Sequence, residues 1–288
     1  MKRLWTAGLA LVVFAALTSG ARAQLDLSGA VPPSQPGATT LVPPPDSDEP
    51  TPGAPRSLGE PRKVDKTDKL DVDFNISLAS TVGRPLRLNG KDGQLTLWGR
   101  DKALKIAKLT LQGEVISDPA QKCKIDIVGD GPIEAKSLGR PDGLARYEAE
   151  IPACPFAFDV VEGGVLVPPQ NSACAFQAAD CRASPSGLWG TEGSAAAGEA
   201  KDIASQRAHA EDVATRILKM AKVKFKGRPE LDGIEREQAA LAARSGEICL
   251  DYDRESEHGF CASRMAEARA ALLKARAERL AHGEKAQD

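Results

Sequence analysis

Along this 288-residue chain the spacing of apolar residues changes once, from a period of two to a period of three or four, which limits the fold to strands followed by helices. Leu70, Val72, Phe74, Ile76 and Leu78 alternate with polar neighbours, the pattern of a half-buried strand. Short apolar runs follow at Leu86-Leu88, Leu95-Leu97, Leu104 to Leu111, Cys123-Ile125-Ile127, Tyr147 to Ile151, Phe156 to Val161 and Val165-Val167. Turn chemistry separates them, including Asn89-Gly90, Asp92-Gly93, Asp130-Gly131, Pro141-Asp142-Gly143 and Gly163-Gly164. So many short strands in roughly a hundred residues describe a sandwich or a small barrel. The expectation carried forward is a β-sandwich-like module over 66–168.

From Glu199 the period is helical. Ala210, Val213, Ile217 and Met220 form one stripe, and Gly227-Arg228-Pro229 ends that helix and opens the next. Leu231, Ile234, Gln238, Leu241, Ser245, Ile248 and Tyr252 line the second helix, and Cys261, Met265, Ala268, Leu272 and Ala275 the third. These narrow stripes predict close-packed antiparallel helices over 198–284. The fold class expected is α+β, a β-sandwich-like module followed by a disulfide-stapled helical module.

Residues 1–23 carry Lys2 and Arg3, an apolar run from Leu4 to Leu17 and a closing Ala21-Arg22-Ala23, the layout of a cleavable export signal. Residues 24–65 hold ten prolines and few large apolar side chains, too little to offset ordering entropy, so they read as an extended disordered linker. No later stretch has the roughly 18 apolar residues of a membrane span. The expected location is periplasmic or secreted, with no stable membrane insertion after signal cleavage. Net charge is −2 and falls further once Lys2, Arg3 and Arg22 leave, which gives nucleic acid no electrostatic foothold.

In such a compartment the six cysteines read as staples. Cys249 and Cys261 flank the turn between the second and third helices, close enough to bridge. Cys123 and Cys154 are the thiols of the strand region and are paired together. Cys174 and Cys181, in a small-residue connector over 169–197, are paired by elimination among the fifteen pairings six cysteines allow. Trp189, in the same connector, reads as an indole plugging the seam between two domains, with a ligand platform as the alternative.

Gln238, Arg244, Cys249, Cys261 and Arg269-Ala270-Ala271-Leu272 follow one another in an order similar to that of the LprI-type family, exported helical domains associated with lysozyme inhibition. Cys174 and Cys181-Arg182-Ala183-Ser184-Pro185 echo that family's earlier cysteine pair. The resemblance covers about the last 115 residues at most and departs from the pattern in two places. The first cysteine pair is closer, and Ala240 or Leu241 stands where an aromatic residue usually follows the glutamine. It implies a disulfide-clamped helical hairpin and an inhibitory partner.

Candidate chemistry is sparse. There is no C-x-x-C, H-E-x-x-H or G-x-S-x-G, and the histidines are His209, His258 and His282 alone, so neither a metal nor a cofactor is expected. His258 beside Glu257 is the one histidine worth naming as a base, with a solvated turn residue as the plainer reading. The acidic run Glu247, Asp251, Asp253, Glu255 and Glu257 lacks the spacing of a calcium hand and suits a wet helix face. Lys219, Lys222, Lys224, Lys226 and Arg228 complement the negative end of the first helix. Aromatic residues make up only 4%, so sugar-stacking platforms are scarce. The expected function is a non-catalytic envelope protein, a protein-binding or inhibitor-like module whose partner is an envelope protein or wall-degrading enzyme. The alternatives are a carboxylate-dependent hydrolase of wall polysaccharide and a structural envelope component.

Overall fold

Alternation puts Leu95, Leu97, Ile106, Leu109, Tyr147, Phe158 and Val165 on one face of their strands, and the sheet curls until that face is enclosed. The structure, a computed structural model, describes residues 74–129 and 131–283. The expected signal 1–23 and the proline-rich linker 24–65 therefore lie outside the described residues, which all belong to the compact unit 63–288.

The strands are β1 (Leu86–Leu88), β2 (Asp92–Trp98), β3 (Lys105–Val115), β4 (Lys122–Asp126), β5 (Ile133–Gly139), β6 (Ala145–Ala149), β7 (Phe156–Val161), β8 (Gly164–Val167), β9 (Cys174–Phe176), β10 (Cys181–Ala183) and β11 (Gly187–Gly190). Eight of them close a ring of antiparallel pairs in the order β2-β1-β11-β8-β7-β6-β5-β3, with β3 returning to β2. The expected sandwich is therefore corrected to a closed barrel with extra strands. Closure removes sheet edges, and eight strands leave an interior that side chains alone can fill. β3 is long enough to serve twice. Its first half closes the ring, and its second half carries β4 on one side and the β10–β9 pair on the other.

The segment Leu70 to Leu78 differs from its strand reading in every described residue: Phe74 to Ser77 pair with no strand, and Leu78–Ser80 is a turn of 3-10 helix. The described apolar side chains are at least partly buried all the same, but in different layers. Leu78 packs on the barrel core, while Ile76 and Phe74 enter the helical layer.

The helices are α1 (Gly193–Gly198), α2 (Ala200–Lys224), α3 (Pro229–Cys249), α4 (Glu255–His258) and α5 (Phe260–Ala281). Pro229 opens α3 where its missing N–H costs nothing. The expected narrow stripe fails for α5, which buries Cys261, Met265 and Ala268 toward the barrel and Ala270, Leu273, Ala277 and Leu280 toward α2 and α3. Helical cover also explains why β7 and β8 are apolar runs. Val160, Val165 and Val167 point inward, while Val161 and Leu166 pack under the helices together with Leu188 of β11.

Three disulfides use all six cysteines. Cys249–Cys261 joins α3 to α5 with a Cα separation of 5.5 Å. The other two pairings are corrected to Cys123–Cys181 and Cys154–Cys174. β4 and β10 flank β3, with Cys123 opposite Gly113 and Cys181 opposite Val115, so the first bridge spans the middle strand. A side chain at Gly113 would collide with the Arg182 carbonyl at 2.0 Å, so the three strands need glycine there to close up.

Candidate functional site

The stretch 169–197, read as an irregular connector, carries β9, β10 and β11, and β11 places Trp189 inside the barrel. Its indole is fully buried and donates to the Pro185 carbonyl at 2.8 Å. Gly93 makes room for it, since a Cβ there would lie 3.2 Å from the ring. Trp189 is thus neither a seam between domains nor a ligand platform.

The tryptophan that faces solvent is Trp98, 62% exposed at the end of β2. Leu95 and Leu97 point into the core, so the intervening phase of the strand, Thr96 and Trp98, points out. Register carries this outer row across the sheet: Trp98 opposes Lys105, Lys105 opposes Glu134, and Lys136 of β5 opposes Glu148 of β6. Lys105 Nζ lies 3.9 Å from Glu134, and Lys136 Nζ 3.2 Å from Glu150, whose hydrogen bond raises the lysine pKa. Beside the row, a cleft of about 450 Å³ is lined by Lys102, Lys105, Glu134, Lys136, Ser137 and Glu150.

The loop after Trp98 is held tightly. Gly99 sits at φ +105°, where a Cβ would meet the Ala103 carbonyl at 2.2 Å, and Asp101 at φ +35° receives the Tyr147 hydroxyl at 3.5 Å. The Gly83 amide donates to the Leu97 carbonyl at 2.9 Å, which sets Arg84 beside the same end of β2. The exposed indole is therefore followed in the chain by Arg100 and Lys102 and faced in register by Lys105. An aromatic residue on the outward phase of an alternating strand was the sequence signal for this site, and the reading above passed over it.

His258 is buried and structural. Its Nδ1 accepts the Phe260 amide at 3.0 Å, which leaves Nε2 to donate to the Asp253 carbonyl at 2.9 Å. Glu255 caps α5, accepting the amides of Cys261 at 3.0 Å and Ala262 at 2.8 Å. Glu257 pairs with Arg254, so the acidic run is dispersed among separate tasks. No group of three or more His, Cys, Asp or Glu among the described residues is arranged to hold a metal. At the basic end of α2, Lys222 pairs with Glu235 at 2.8 Å and Arg228 with Glu230 at 3.7 Å.

A buried ionic cluster locks α5 to the barrel. Arg264 donates to the Glu162 carbonyl at 2.8 Å and to Gln206, lies over the Phe260 ring at 4.9 Å, and comes within 3.2 Å of Glu267. Burial pushes Glu267 up to about 7 against the opposing pull of Arg264. That value suits a general acid, but the carboxylate faces Arg264 inside the barrel–helix interface and lines none of the surface clefts described here.

These features define a closed antiparallel barrel covered by a helical layer, with a solvent-facing tryptophan on the uncovered wall. No family, no curated protein and no solved structure matches this chain. Among the described residues no helix is long and apolar enough to cross a membrane.

Proposed function

We propose that this is an exported binding module of the cell envelope that docks on a polysaccharide-cleaving enzyme of the wall and blocks its cleft. The observation that carries the reading is Trp98, exposed at the end of β2, with Lys105 opposite it in register and Arg100 and Lys102 following it in the chain. A large aromatic with a polar rim is the composition of an interface hot spot. Glycosidase clefts hold two carboxylates astride an extended sugar-binding surface, which an indole with adjacent cations complements in shape and charge. The order of Gln238, Arg244, Cys249 and Cys261, similar to that of the lysozyme-inhibitor-like family, supports the inhibitory sense. Three disulfides support a periplasmic or secreted setting, where thiols oxidise.

The test mixes the purified chain with lysozyme-type enzymes and follows turbidity loss of wall substrate. Inhibition saturating near equimolar ratio is expected, and it should be lost in Trp98→Ala and in Arg100→Glu/Lys102→Glu while urea unfolding stays unchanged. Undiminished hydrolysis at large molar excess across the panel refutes the proposal.

A further inference from the structure

Residues of α5, of the β5–β6 turn and of the segment 74–76 line a groove of about 400 Å³. Gly143 brings the turn against the helix: at φ +82°, a Cβ there would lie 2.6 Å from the Ala271 carbonyl. Arg279 pins the turn by donating to the Pro141 carbonyl at 2.6 Å, and Lys274 pins the incoming segment by donating to the Phe74 carbonyl at 3.2 Å.

Its floor is apolar, formed by Phe74, Ile76, Ala271 and Ala275, and its rim is cationic, formed by Arg140, Lys274 and Arg279. One carboxylate, Glu278, lines it, and Asp142 stands 3.8 Å from Arg279 while also serving Arg276 and Arg146. Lys274 donates to a neutral carbonyl and forms no ion pair within 4 Å among the described residues. Arg140 is exposed and lines the groove; its charge acts on Tyr147, and its planar donor fork forms no ion pair among the described residues. Such a fork matches a carboxylate in two parallel hydrogen bonds.

We infer that this groove binds a single-chain anionic amphiphile, a carboxylate head on the Arg140 and Lys274 rim with its alkyl chain laid along Phe74, Ile76 and Ala275. The volume lies at the small end of ligand clefts and suits one short chain. The groove shares no lining residue with the cleft beside Trp98 and does not depend on the proposed inhibition.

Titration calorimetry of the full chain with decanoate, decanol and acetate tests it, with near-ultraviolet circular dichroism checking the fold. Decanoate is expected to bind saturably at one per chain, with decanol and acetate at least about tenfold weaker because each lacks one half of the recognition. Arg140→Gln should weaken decanoate about tenfold. Ala275→Phe, which fills the floor and leaves every charge in place, should abolish binding. Absence of saturable decanoate binding, equal binding of decanol, or unchanged affinity in Arg140→Gln overturns the inference.

Discussion

Glu267 makes the stability of this fold depend on pH in a direction opposite to that of most carboxylates. Its side chain is 7% exposed, Oε2 lies 3.2 Å from Arg264 Nη1, and the nearby charges are Arg264 on its own helix and Glu162 on the β7–β8 turn. Burial raises it to about 7, Arg264 opposes the rise and Glu162 adds to it. In the unfolded chain the group titrates near its ordinary value of 4.5, so at intermediate pH the folded state holds the extra proton. Stability from this group is complete below that value and is lost as pH rises through about 7. A rise of this size corresponds to about 3 kcal/mol, most of it falling between about pH 5 and pH 8.

Glu267→Gln keeps the shape of the side chain and an acceptor for Arg264 but does not titrate. Urea unfolding followed by the fluorescence of the buried Trp189 gives the free energies of both proteins at the two pH values. The loss of stability from acid to alkaline pH should be smaller in the variant by about 2 to 3 kcal/mol. The pH difference is the informative quantity. The absolute stability also includes the change in packing and polar contact between the amide and Arg264, which the pH difference removes. Parallel pH profiles for the two proteins, within about 0.5 kcal/mol, would refute the assignment of a proton to Glu267 near neutrality.

Replacing Cys123 and Cys181 by serine opens a loop of 58 residues and should cost about 4 kcal/mol, read from the shift in urea midpoint under non-reducing conditions. Glu255→Ala leaves two amides of α5 uncapped beside a buried interface and should cost about 1 to 2 kcal/mol in the same assay. Gly143→Val combines a left-handed backbone with a collision on the Ala271 carbonyl, so a loss of about 2 kcal/mol or more is expected; a neutral result would mean that the turn does not press on α5. Trp98→Ala should leave the urea midpoint within about 0.5 kcal/mol of the parent, because the exposed ring buries little on folding.

Strands with a strict alternation or an unbroken apolar run were legible in the sequence: β1 and β7 fall where Leu86-Leu88 and Phe156 to Val161 put them. Whether they form a sandwich or a ring was not, because period two reports which face is buried and says nothing of which strand lies beside which. The deciding strand, β11, is a Leu-Trp pair between two glycines, too short to show any period. β5 was missed for a similar reason, since Ala135 is its one fully buried residue. Leu70 to Leu78 misled for the converse reason: in its described part, Phe74, Ile76 and Leu78 alternate in the sequence yet are divided between the helical layer and the barrel core, and pair with no strand. The Cys249–Cys261 bridge was readable because one turn brings both residues together. The other two bridges depend on β10 lying beside β3, a contact between distant parts of the chain. Trp98 was readable from its phase against Leu95 and Leu97, whereas the Arg264–Glu267 cluster and the Gly143 groove exist only once α5 lies on the barrel.

The pairing of β1 with β11 has a consequence for how the chain matures. A polypeptide that emerges amino-terminus first presents one unsatisfied flank of the cylinder from residue 86 onward and cannot seal it until residue 190 has arrived. A fragment cut at 168 would keep two open hydrogen-bonding borders, an invitation to oligomerise, and would leave the thiols of Cys123 and Cys154 without their partners.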